Sequence, residues 1–139
     1  MALTRIHHIN FIVRDLNDAM ARYERILGVE PFVVVDHPTR NAKIARSRVG
    51  ESWLVLVSPS DADSAPGRYL EKNGEGFFLL SLGVDDLEQR LEQLESDGID
   101  TIDAGSRDGI LDWRVADIGD LHGANIQITQ DRPADDEQG

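Results

Sequence analysis

The feature that most constrains this chain is that it says one thing twice. Ile6 to Gly28 reads IHHINFIVRDLNDAMARYERILG, and Phe78 to Gly98 reads FLLSLGVDDLEQRLEQLESDG. Aligned, His8 falls on Leu79, Val13 on Val84, Asp15 on Asp86 and Leu16 on Leu87. Each copy is an apolar run of strand length, then an Asp, then an amphipathic helix, then Gly. A repeat of this kind in 139 residues predicts two similar modules packed as one domain.

In the first copy Ile9, Phe11 and Val13 share one strand parity, while His8, Asn10 and Ile12 share the other. That predicts one face in a core and one mixed face able to line a cavity. Asp15 reads as an N-cap, Leu16, Ala19, Met20, Tyr23, Ile26 and Leu27 as a helical stripe, and Gly28 as a left-handed cap. Strands are expected over Glu30–Val35, Ala42–Val49 and Trp53–Val57, with Gly50 and Glu51 as a tight hairpin turn. Pro59 to Gly76 reads as a linker with one short helix near Gly67–Asn73.

The second copy repeats this plan. Phe78, Leu80 and Leu82 take the core parity, leaving Leu79, Ser81 and Gly83 on the cavity parity. Asp86 with Gln89 has capping-box spacing, Leu87, Leu91 and Leu94 form the stripe, and Gly98 stops the helix. Strands are expected near Asp100–Asp103, Leu111–Ile118 and Ala124–Thr129. The fold class is α+β, βαβββ twice. One domain spans residues 1–130, with module 1 at about 5–58, linker at about 59–75 and module 2 at about 76–130. Residues 131–139 form an acidic tail too poor in apolar residues to fold.

Composition narrows the function classes. A net charge of −12 disfavours nucleic acid, whose phosphates would be repelled. The longest apolar stretch, FFLLSLGV, is far short of a membrane span, and no basic-then-apolar leader is visible. With no cysteine there is no disulfide, thiolate metal site or Cys nucleophile, and a cytoplasmic home is expected. No phosphate-cradling Gly loop, zinc-protease helix or Ser nucleophile elbow is present.

The two copies, together with EKNGEGFFLLSLGVDDL in the middle and GANIQI near the end, resemble the vicinal oxygen chelate superfamily. This is the superfamily of glyoxalase I, bleomycin-resistance proteins, extradiol dioxygenases and methylmalonyl-CoA epimerase, and the nearest look is the epimerase branch. The resemblance covers roughly residues 5 to 130 and implies a curled mixed sheet around a shared cavity. It also implies four metal ligands, two from each module. Carried over residue by residue, the four positions are His8, Val55, Leu79 and Gln127. Valine and leucine have no lone pairs, and a Gln amide is a weak neutral ligand, so the usual centre is expected to be lost or severely weakened. His8 and Gln127 are its vestigial positions; no cofactor is expected, with a divalent metal as the alternative.

His8 has three readings: residual metal ligand, general base with an ordinary imidazole value of about 6.5, or hydrogen-bonding cavity residue. His7, on the opposite parity, reads as structural. The resemblance places Gln127 opposite His8. Asn10 and Ser81 are candidate ligand donors or acceptors, and Val55 and Leu79 would make the old metal pocket apolar. Trp113, with Asp112 and Arg114 beside it, is read as stacking on a planar ligand or as core. Arg46, like Arg48 on the same strand face, would receive a carboxylate or phosphate or pair with neighbouring carboxylates. Glu51 and His122 read as solvated turn residues.

Three functions stay open. The first is a glyoxalase-like small-molecule-binding protein or metal-independent enzyme with His8 as base. The second is a metal-dependent isomerase or lyase of the epimerase or glyoxalase type. The third is a non-enzymatic drug- or metabolite-binding protein. The expected ligand is a small molecule such as an acyl-CoA or an apolar or aromatic acid. The resemblance implies a homodimer.

Overall fold

The computed structural model describes residues 3–35, 41–102, 105–109 and 113–131. Its elements follow the repeated plan: β1 (Leu3–Ile12), α1 (Leu16–Leu27), β2 (Val33–Val35), β3 (Ala42–Val49), β4 (Ser52–Pro59), α2 (Ala65–Asn73), β5 (Gly76–Val84), α3 (Leu87–Ser96), β6 (Arg107–Asp108), β7 (Arg114–Leu121) and β8 (Ala124–Gln130). The class is α+β, and each copy is a βαβββ module, the first followed by α2.

The chain divides into two compact units, His8–Phe78 and Met1–His7 with Leu79–Gly139. The opening of β1 therefore groups with the second copy, although sequence similarity assigns it to the first. We call the units the first and second halves.

In the first half the strand order is β2-β3-β4-β1, with β1 parallel to β4 and the other pairs antiparallel. The Asp15 carboxylate accepts the amide of Asp18 at 3.0 Å and starts α1. Gly28, at φ 70°, ends it by donating to the Glu24 carbonyl. The helix seats Leu16 and Ala19 against Val13, Ala45 and Leu56, with Phe11, Met20, Tyr23 and Phe32 around them. Ile26 and Leu27, expected in the buried stripe, are each 63% exposed, because the last turn of α1 runs past this cluster. The β3–β4 hairpin closes on a two-residue turn with Gly50 at φ 60°, where a β-carbon would be strained.

In the second half the order is β5-β8-β7-β6. Asp86 caps α3 by accepting the amide of Gln89 at 3.0 Å, the counterpart of Asp15. Leu87 packs on Val84, Ala116 and Ile128, with Leu91 and Ile118 beside them. The helix ends at Ser96, with Gly98 at φ 73° just beyond. The opening of β1 is tied to the end of β8: Arg5 pairs with Asp131 at 2.8 Å, and Thr4 donates to the same carboxylate at 2.5 Å. Gly83 leaves room for this, since a β-carbon there would sit 2.5 Å from the Thr4 hydroxyl. Asp131, composition's first tail residue, is thus held in place; residues 132–139 lie outside the described residues.

Several boundaries differ from the pattern-based expectation. β1 begins at Leu3, and β2 covers only the last part of Glu30–Val35. Asp100 to Ile102 form no strand: Ile102 makes one ladder-like bond, to the Asp117 carbonyl at 3.0 Å, and its side chain is 68% exposed. The second half's first outer strand is instead the short β6. The strand expected over Leu111–Ile118 is β7, starting at Arg114, with residues 110–112 outside the described residues.

Candidate functional site

Alternation along paired strands decides which side chains share a face. In the first half Ala45 and Leu56 point at α1, so their neighbours in sequence point away from it. That puts Asn10, Val55 and Arg46 in one cross-strand row, because Asn10 pairs with Val55 and Val55 with Arg46. The next row is His8, Trp53 and Arg48. The sequence left open which way Arg46 faces; it shares the helix-free face with His8 and Asn10.

This face is closed to water to different degrees. His8 is 4% exposed, Val55 1% and Arg46 3%, and Asn10 is half-buried. The Arg46 guanidinium lies 3.8 Å from the centre of the Trp53 ring, with that of Arg48 at 4.8 Å. Arg48 also donates through Nε to the Gly50 carbonyl at 2.9 Å. Aromatic contact is a low-cost way to hold a buried cation, since the ring quadrupole attracts charge without competing for its N–H groups. Trp53 was not singled out by sequence, though its parity with Val55 pointed to it. Asn10 Oδ1 is buried and has no hydrogen-bond partner among the described residues.

In the second half Ala116 and Ile128 point at α3, so Gln127 and Asp117 point away. Ser81 pairs with Gln127, and Gln127 with Asp117, which makes a row matching Asn10–Val55–Arg46. Leu79 and Ser81, on the parity read as cavity-lining, are more completely buried than Leu80 and Leu82 on the helix side. Ser81 and Thr129 share a hydroxyl–hydroxyl bond of 2.5 Å. Gln127 Nε2 donates to Asp117 Oδ1 at 3.0 Å, and Asp117 Oδ2 receives Arg107 Nη2 at 2.7 Å. Gln127 Oε1 is buried and has no hydrogen-bond partner among the described residues.

Other candidates separate from these rows. Trp113 is 4% exposed and meets the buried His7 ring edge-on, centroids 4.7 Å apart. Arg114 pairs with Asp108 at 2.7 Å on the surface. His122 sits at φ 53° in the exposed β7–β8 turn, and Glu51 is exposed in the β3–β4 turn. Asp112 lies outside the described residues. Two surface grooves of about 440 and 520 Å³ flank α3, but their carboxylate-rich linings, among them Glu88, Glu92 and Glu95, include none of the candidates.

No group of three or more His, Asp or Glu among the described residues is placed to hold a metal ion. The four positions carried over from the resemblance do not suit one either. Val55 and Leu79 are buried hydrocarbon without a donor atom, and the Gln127 amide offers only a neutral oxygen. No helix among the described residues is long and apolar enough to cross a membrane.

Comparison with known proteins agrees with this architecture. YqjC of Bacillus subtilis is 25% identical over 130 residues, covering 92% of this chain and 93% of that protein. Human mitochondrial methylmalonyl-CoA epimerase is 28% identical over 94 residues, which is 67% of this chain and 53% of that enzyme, so the match spans about half its length. Among solved structures, Streptomyces coelicolor methylmalonyl-CoA epimerase in complex with 2-nitronate-propionyl-CoA superposes with TM-score 0.86 at 26% identity, covering 95% of this chain and 100% of that one. The epimerase of Mycobacterium tuberculosis gives TM-score 0.86 at 25% identity over 94% of this chain and 90% of that one. The Glyoxalase/Bleomycin resistance protein/Dioxygenase superfamily model matches residues 7–116, and the chain belongs to that superfamily.

Proposed function

We propose that this protein binds a small molecule of the acyl-CoA class and moves a proton on it without the superfamily's metal. The observation that carries this reading is the hydrocarbon at two former ligand corners, Val55 and Leu79, both buried. His8 is the general base in this reading. It is held on the helix-free face of the first half, two residues from Asn10 and across from Trp53. Arg46, stacked on Trp53, supplies fixed positive charge for a carboxylate or phosphate of the ligand. The class of ligand is supported by the epimerase relatives, one of which was solved with a propionyl-CoA analogue. The protein works in this reading as a cytoplasmic homodimer.

The reaction to assay is exchange of the thioester α-proton of propionyl-CoA and methylmalonyl-CoA in deuterated buffer. Exchange should survive exhaustive chelation, and His8→Gln should slow it by about a hundred- to ten-thousandfold. Stoichiometric metal in gently purified protein, with exchange abolished by chelator, would establish the metal-dependent isomerase instead. Binding of the thioester with no exchange, unaffected by His8→Gln, would leave a ligand-binding protein without catalysis.

A further inference from the structure

The amide of Gln127 is held in one orientation by its surroundings. A carboxylate only accepts hydrogen bonds, so the Asp117 oxygen 3.0 Å from Gln127 must face the NH₂ end. Asp117 is itself steadied by Arg107, 2.7 Å away on its other oxygen, and the two sit on the paired strands β6 and β7. The cross-strand neighbour Ser81 shares its hydroxyl with Thr129 and makes no hydrogen bond to Gln127 Oε1. The result is an amide oxygen that is buried, points away from Asp117 and has no hydrogen-bond partner among the described residues, on a residue only 4% exposed. A buried acceptor left bare is costly, and a donor that reaches it relieves that cost, less what the donor gives up in leaving water.

We propose that Asp117, held by Arg107, is a positioning residue that fixes Gln127 with its oxygen toward the ligand, so that the position selects molecules presenting an O–H or N–H. The inference rests on the acyl-CoA reading for the class of ligand and adds that the acyl part carries a hydrogen-bond donor. It also assigns Gln127 a use other than metal binding: a neutral acceptor whose polarity is set by its neighbour's charge.

The test has two arms on the full chain. In the first, NMR of the ligand-free protein follows the side-chain amide of Gln127. The wild type should show a downfield Nε2 proton with slow solvent exchange, and Asp117→Asn should lose the shift and speed exchange by about tenfold or more. Identical signals in both proteins would overturn the orienting role. In the second, propionyl-CoA and its 2-hydroxy and 3-hydroxy analogues are titrated calorimetrically. The wild type should bind one hydroxy analogue about tenfold more tightly than propionyl-CoA, and both Asp117→Asn and Gln127→Leu should erase that preference. Equal affinity for all three in the wild type, or a preference that survives both substitutions, would overturn donor selection. If none of the thioesters binds, the acyl-CoA reading fails and the ligand assignment falls with it, while the amide signature still decides what Asp117 does.

Discussion

The two halves build the same surface from different chemistry. Each presents a helix-free face with a three-residue cross-strand row at its centre: Asn10–Val55–Arg46 in the first half and Ser81–Gln127–Asp117 in the second. The first sets two guanidinium groups over an aromatic ring, and in the second a guanidinium meets a carboxylate that in turn binds an amide. A shared backbone plan thus fixes where side chains stand but not which groups stand there. The helix faces behind the rows diverge far less.

That contrast can be broken or sharpened by substitution. The largest effect is expected where the halves are most alike, in the cores under the helices. Leu56→Ala and Leu87→Ala, each removing a side chain 0% or 1% exposed, should cost about 2–5 kcal/mol apiece in urea unfolding. A loss below about 1 kcal/mol at either site would mean that half does not depend on its helix-face cluster. Next is the face that differs. Arg46→Met should cost about 1–2 kcal/mol, because the guanidinium lies desolvated over Trp53. The loss should change little between low and high salt, as a buried contact is poorly screened; a strongly salt-dependent loss would point to ion pairing as the main hold. The smallest effect probes near-identity. Asp15→Ala and Asp86→Ala each delete one cap hydrogen bond of 3.0 Å and should lower thermal stability by about 1 kcal/mol each. Unequal losses would show that the repeat is similar in geometry only.

What was legible in the sequence followed the range of the interactions involved. The caps at Asp15 and Asp86, the Gly28 stop and the strand Ala42–Val49 were read correctly because they depend on residues three or four apart or on simple alternation. Ile26 and Leu27 fit the helical stripe yet are exposed, since periodicity cannot say where the supporting sheet ends. Asp117 and Arg107 were missed for a related reason. Their pairing needs the register of β6 on β7, and β6 is two residues long, too short to leave an alternation signal. Trp53 was overlooked as a partner for Arg46 because that contact joins non-adjacent positions across a hairpin. His8 and Asn10 were grouped on parity, Val55 came from the family resemblance and the facing of Arg46 was left open; the registers of β1, β3 and β4 put all four on one face.

The placement of the two tryptophans has a practical consequence. The chain has two, and each half contains one: Trp53 beneath two guanidinium groups, Trp113 against the edge of an imidazole. Indole emission responds to nearby charge, so each half carries its own built-in optical reporter. Single Trp→Phe variants would therefore let fluorescence follow events on one half without a label, and tell which of them a bound molecule disturbs.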